Sequence, residues 1–183
     1  MTLHDPDPSP IRYLESLIAD VPDFPKPGIV FKDITPMLAD ARALALAVEL
    51  MANPYRGTGI TAVVGAESRG FIFGTAIAQA LSAGFVPVRK PGKLPRDVHG
   101  VDYALEYGTD RLEMHTDAVG PGDKVLLVDD LLATGGTMAA ACDLVKAAGA
   151  DIAALTVFIE LTDLGGFSKL QDHADRLHAV LRY

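Results

Sequence analysis

The chain has 183 residues, 49% of them hydrophobic and 22% charged, with a formal net charge of −8. That is the balance and length of one globular domain with a sizeable core. The acidity argues against a nucleic-acid partner, which needs a basic stripe, and Cys142 as the only cysteine excludes an internal disulfide or a thiolate-rich metal site. No apolar run approaches the ~18 residues of a membrane span. The opening MTLHDPDPSP has neither the basic nor the apolar region of a secretory signal, so a cytoplasmic protein is expected.

Ser9 and Pro10 read as the N-cap and first residue of a helix running through Leu14, Leu17 and Ile18. From Val21 to Pro36 the prolines exclude a regular helix or a central strand. Val21, Phe24, Ile29, Val30, Phe31 and Ile34 call for burial there, so the segment reads as an ordered flap. Asp40 caps a second helix. AVVG at Ala62–Gly65 is a short buried strand, GAESRGFIFG turns into a helix through Leu81, and Phe85–Val88 is another strand. Lys90 to Gly108 mixes charge, Pro and Gly over a length that marks a functional loop. Asp110–His115 alternates as a half-exposed strand does. Lys124–Val128 is a strand, Thr137–Ala148 a helix, and Ile152–Leu161 and Leu177–Leu181 are further strands. Strands alternating with helices give a parallel sheet wrapped by helices, with ligands beyond the carboxyl ends of the strands.

VLLVDDLLATGGTMAA, Val125 to Ala140, is the most specific stretch. At average residue usage its Asp, Asp, Ala, Thr, Gly, Gly and Thr recur by chance about once in 10^9 positions. The helix start offers free N–H groups and a positive dipole end. Gly135 and Gly136 let an oxyanion approach the backbone, and Thr134 and Thr137 add hydroxyls, a combination suited to one phosphate monoester. Asp129 and Asp130 would repel phosphate, so they should face hydroxyls; a ribose diol fits, with Mg²⁺ nearby softening the charge. Neither G-x-x-x-x-G-K-[ST] nor G-x-G-x-x-G is present.

A hydrophobic strand, two acids and a T-G-G-T loop resemble the type I phosphoribosyltransferases. VPDFPKPGIVFKDITPML from Val21, ESRGF at Glu67–Phe71, VRKPGKLP at Val88–Pro95 and LEYG at Leu105–Gly108 resemble the adenine-specific members in particular. The resemblance spans about Val21 to Leu164. It implies a single α/β domain over 1–183: a doubly wound, mostly parallel sheet flanked by helices, with a small N-terminal hood (about 1–36) and a flexible lid loop (about 90–108). It further implies transfer of a phosphoribosyl group from 5-phosphoribosyl-1-pyrophosphate to adenine, yielding AMP and pyrophosphate.

Residue by residue, the resemblance puts the 5′-phosphate on Ala133, Thr134, Gly135, Gly136 and Thr137, and the ribose on Asp129 and Asp130. Ser68, Arg69, Arg89, Lys90 and Lys93 take pyrophosphate. Val30, Phe31, Lys32 and Leu131 take adenine, with Phe31 and Leu131 stacking on the ring. Many relatives carry Arg where Lys32 stands, so only backbone contacts carry over there. Glu106 is the general acid/base, brought down with the lid. Ala133 agrees with an adenine enzyme, because related 6-oxopurine enzymes place an acid at that position. No residue ligates metal directly; Mg²⁺ arrives with the donor. A non-proline cis peptide is expected at Glu67–Ser68, and a homodimer is implied. Transfer to another base, or a regulator sensing the donor, are the alternative readings; only ~20 residues precede the flap, below the usual 50-residue limit for an added DNA-binding domain. The histidines give no site: His173 and His178 are poorly spaced for one helical face and His115 is on an exposed strand, so surface positions are expected. Cys142 is expected in the core.

Overall fold

A computed structural model describes residues 9–104 and 109–183. The chain divides into two compact units, one up to Glu49 and one from Leu50 onward.

In the first unit, helix α1 (Pro10–Glu15) is capped as expected: the Ser9 hydroxyl accepts the Arg12 N–H at 3.3 Å. The helix stops at Glu15, short of Leu17 and Ile18, because Ala19 opens a strand. The proline-rich flap is a two-stranded antiparallel ribbon of β1 (Ala19–Pro22) and β2 (Val30–Asp33), followed by the short helix α2 (Thr35–Ala39). Lys32 is tied across the ribbon to its register partner Asp20 at 2.7 Å. Phe24 and Phe31 meet edge to face at 5.2 Å and line a cleft of about 280 Å³ with Val21 and Asp33. The expected burial of the flap's apolar residues holds for Ile34 but fails for Phe24, Ile29 and Val30, which are 51%, 45% and 52% exposed. Phe24 and Ile29 lie in the connection between β1 and β2, and Val30 is the first residue of β2. Asp40 caps α3 (Ala41–Ala52), accepting the Ala43 N–H at 2.8 Å and the Tyr13 hydroxyl at 2.9 Å.

The second unit is built on five parallel strands: β3 (Ala62–Ala66), β4 (Gly84–Val88), β7 (Lys124–Leu132), β8 (Asp151–Glu160) and β9 (Leu177–Arg182), in the order β4-β3-β7-β8-β9. Their near-continuous apolar runs are what burial on both sheet faces demands. Helix α5 (Gly136–Ala147) packs with Val64, Val125, Leu127, Leu155, Val157 and Ala179, and Cys142 lies in that cluster as expected. Helix α4 (Gly70–Leu81) packs on β3, β4 and β7, and its Phe73 stacks on Phe158 of β8 at 5.4 Å. Gly65 and Gly74 make room for the Phe85 ring, which a Cβ at either position would meet at 2.9 or 2.6 Å. From β3 the chain steps outward to β4, whereas from β7 it steps the other way to β8 and β9. The order therefore reverses between β3 and β7, and a crevice opens beyond their carboxyl ends.

Three expectations change here. The long polar loop is partly a strand: β5 (Val98–Ala104) pairs antiparallel with β6 (Thr109–His115). Strand β7 does not end before the two acids but carries them on to Leu132, held by parallel pairing with β8. After β8, Gly166–Arg176 forms a 3-10 stretch packed on α5 and β8, with Leu170 buried. It also buries His173, contrary to the surface position expected; burial, with Lys146 and Arg176 nearby, holds that imidazole below its ordinary pKa. Among the described residues, no helix is long and apolar enough to cross a membrane.

Candidate active site

Two loops meet at the reversal point. One follows β7. Residues 133–135 turn the chain, and Gly135, with φ +79°, starts α5 with no side chain capping the first-turn N–H groups. Those donors face a cavity of about 80 Å³ lined by Leu131 through Met138, a space of small-anion size. Gly166 braces the loop from behind. A Cβ on Gly135 would lie 2.5 Å from the Gly166 carbonyl oxygen, and a Cβ on Gly166 would overlap the Ala133 carbonyl. Positive φ and this contact both require glycine at 135.

The second loop follows β3. The peptide bond between Glu67 and Ser68 is cis, as expected. Gly70 then opens α4 hard against β7: a Cβ there would stand 2.9 Å from Asp129 Oδ1. The absence of that side chain lets Arg69 reach across, its Nε 2.8 Å from Asp130 Oδ2. Asp129 in turn accepts the Asp130 N–H at 2.9 Å. Burial and the adjacent Asp130 charge push the Asp129 carboxyl well above its ordinary pKa. Burial raises that of Asp130 too, opposed by Arg69. An acid pair desolvated to this degree gains from hydroxyl donors or a cation brought by a ligand.

The expected basic cluster is gathered by a residue that sequence reasoning gave no role, Glu67. Its side chain is 9% exposed; Oε2 accepts from Arg89 Nε at 3.2 Å and the Lys90 N–H at 2.7 Å, and Oε1 from Lys93 Nζ at 2.9 Å. Burial alone would raise its carboxyl, but Lys93, the Lys90 N–H and Arg89 outweigh it and hold the pKa below the ordinary value. Lys90 directs its ammonium to Asp110 at 3.1 Å. Glu67 thus gathers Arg89 and Lys93, while Arg69 reaches Asp130 and Lys90 reaches Asp110. Ser68 is exposed in the turn itself. Leu131 and Ala133 line the loop cavity. Val30, Phe31 and Lys32 lie on β2 in the first unit. Glu106 falls outside the described residues. The signal that could have found Glu67 is its acid in a Ser-Arg-Gly turn combined with three cations after β4; Gly166 left no local signal.

The model of the phosphoribosyl transferase domain matches residues 33–177. The chain is 56% identical over 170 residues to the adenine phosphoribosyltransferase of Methylococcus capsulatus, covering 93% of this chain and 98% of that one. Its fold is similar to the crystal structure of adenine phosphoribosyltransferase from Rhodothermus marinus, with 50% identity and a TM-score of 0.91 over 97% of this chain and 100% of that one. The Giardia lamblia enzyme complexed with 9-deazaadenine is similar at 41% identity and a TM-score of 0.89, covering 94% and 97%.

Proposed function

The chain belongs to the phosphoribosyl transferase family, and from that premise we propose how its residues move a 5-phosphoribosyl group from 5-phosphoribosyl-1-pyrophosphate to adenine, giving AMP and pyrophosphate. The reaction is a step of purine salvage. One observation carries the assignment of roles: Arg69 of the β3 turn and Asp130 of the β7 loop touch at 2.8 Å, so one donor molecule can span both loops.

The 5′-phosphate sits on Ala133, Thr134, Gly135, Gly136 and Thr137, bound by first-turn N–H groups and the two hydroxyls. Asp129 and Asp130 accept hydrogen bonds from the ribose diol. Pyrophosphate lies on Ser68, Arg69, Arg89, Lys90 and Lys93, whose charge stabilises it as it departs. Adenine is read by the backbone of Val30, Phe31 and Lys32, with Phe31 and Leu131 supplying apolar surface for the ring. Glu106 exchanges a proton with the base as the new bond forms. Much of the acceleration comes from holding the base against the anomeric carbon.

Mg²⁺ arrives on the donor with no protein residue as its direct ligand, near enough to Asp129 and Asp130 to soften their charge. When bound, that ion neutralises pyrophosphate charge. The working form is a homodimer in the cytoplasm. A panel of adenine, hypoxanthine, xanthine and orotate with labelled donor tests the assignment. Label should pass to adenine and form AMP; preferential transfer to any other base would overturn it.

A further inference from the structure

Lys90 differs from its basic neighbours in what holds it. Arg89 and Lys93 share Glu67, but the Lys90 ammonium is 3.1 Å from Asp110 Oδ2. That carboxylate is itself fixed. Its Oδ1 accepts the Arg111 N–H at 2.8 Å, and its Oδ2 accepts the Tyr103 hydroxyl at 3.3 Å. Tyr103 is the register partner of Asp110 across β5 and β6, and its ring packs on the core cluster beneath α5. The Thr137 hydroxyl, in the first turn of α5, lies beside the same phenol. The stem of Lys90 is anchored too: Arg89, one residue before it, exchanges two backbone hydrogen bonds with Glu113 of β6, at 2.9 and 2.7 Å. Root and tip of one flexible side chain are therefore both fastened to β6.

We propose that Asp110, its carboxylate fixed by Tyr103, is a positioning residue that holds the Lys90 ammonium ready for the donor's pyrophosphate. The inference rests on the reading of Lys90 as a pyrophosphate ligand. An ammonium has three donors, and the bond to Asp110 uses one. The Lys90 side chain is 52% exposed, which leaves it open to an incoming anion. Lysine has many rotamers, and freezing them on binding costs affinity; a side chain already held loses less. Neither Asp110 nor Tyr103 is given contact with substrate, so both act through Lys90.

Steady-state kinetics on the full chain test this. Asp110→Asn should raise the KM for the donor and the inhibition constant of pyrophosphate about fivefold, with kcat within about twofold and the KM for adenine unchanged, because only pre-organisation is lost. Asp110→Glu should recover part of the loss, and Tyr103→Phe should shift the same constants less. In the Lys90→Met background, Asp110→Asn should add nothing. If Lys90→Met leaves donor KM and pyrophosphate inhibition unchanged, the reading of Lys90 fails and the proposal goes with it. If Lys90→Met weakens both constants but Asp110→Asn does not, or adds its full effect to Lys90→Met, the reading stands and the positioning role is overturned.

Discussion

Asp129 is held in a state that folding alone does not favour. Its carboxyl pKa is raised by burial and by Asp130, so the folded chain takes up this proton more readily than the unfolded chain. The contribution to stability is therefore complete below the ordinary carboxylate pKa and is lost as pH rises through the raised one. Asp129→Asn keeps an acceptor for the Asp130 N–H and removes the charge. We expect the unliganded variant to melt about 2–4 °C higher than the parent at pH 7, with the gain vanishing near pH 4, about where an ordinary Asp titrates. With Asp130→Asn added, donor affinity by calorimetry should fall at least about tenfold, the cost of one to two lost charge-assisted bonds. Unaltered affinity would contradict the diol assignment. For Glu106 we expect Glu106→Ala to keep donor binding and lose about 10²–10⁴ in kcat, the usual worth of a general acid/base; unchanged turnover would remove it from the chemistry. The contiguous candidate residues, Asp129 to Thr137, were legible because strand, turn and helix start follow one another along the chain. Glu67 was not: its partners Arg89 and Lys93 lie 22 and 26 residues away, and only the pairing of β3 with β4 brings them close.

At the scale of elements, legibility followed burial. The central strands β3, β7 and β8 announce themselves as apolar runs because both sheet faces are covered, whereas the edge strands β4 and β9 alternate buried with part-exposed residues. The ribbon β1–β2 carries prolines and exposed apolar residues, so its period-two signal is lost. Strand β5 is hidden by Gly100, a residue that reads as a strand breaker. In the fold the Arg111 guanidinium fills the space that a Cβ on Gly100 would need. The 3-10 stretch after β8 turns Gly166, Leu170 and His173 inward, and it braces the loop between β7 and α5 through Gly166. Gly166→Ala should therefore strain the junction of β7 and α5, because its new Cβ overlaps the Ala133 carbonyl and lies 2.9 Å from the Gly135 nitrogen. We expect a stability loss of about 1–3 kcal/mol in denaturant melts, the typical cost of overpacking, with the KM for the donor rising more than that for adenine. Equal changes in both KM values would mean that the brace does not act through the phosphate loop.

Across the whole molecule, an acidic chain of net charge −8 must admit a polyanionic donor. Its cations do not present a bare positive field. Arg69 is paired with Asp130, Arg89 and Lys93 with Glu67, and Lys90 with Asp110. Three carboxylates against four cations leave these pairs a net charge of only +1, and the overall charge of −8 opposes approach. With the roles proposed above, affinity comes at contact, when phosphate oxygens share or replace the carboxylates and the α5 N–H groups engage. Steered association falls steeply with added salt, because screening removes the attraction. Here the expectation is different. Between about 0.01 and 0.1 M salt the Debye length shrinks from roughly 30 to 10 Å, so screening relieves the overall repulsion while leaving the contact pairs almost untouched. The association rate constant of the donor, measured by stopped flow at fixed free Mg²⁺, should hold within about threefold over that range or rise, the slope a nearly cancelled local field gives. A tenfold fall would show that the four cations act as an open electrostatic funnel, and that the ion pairs to Glu67, Asp110 and Asp130 are already broken before the donor arrives.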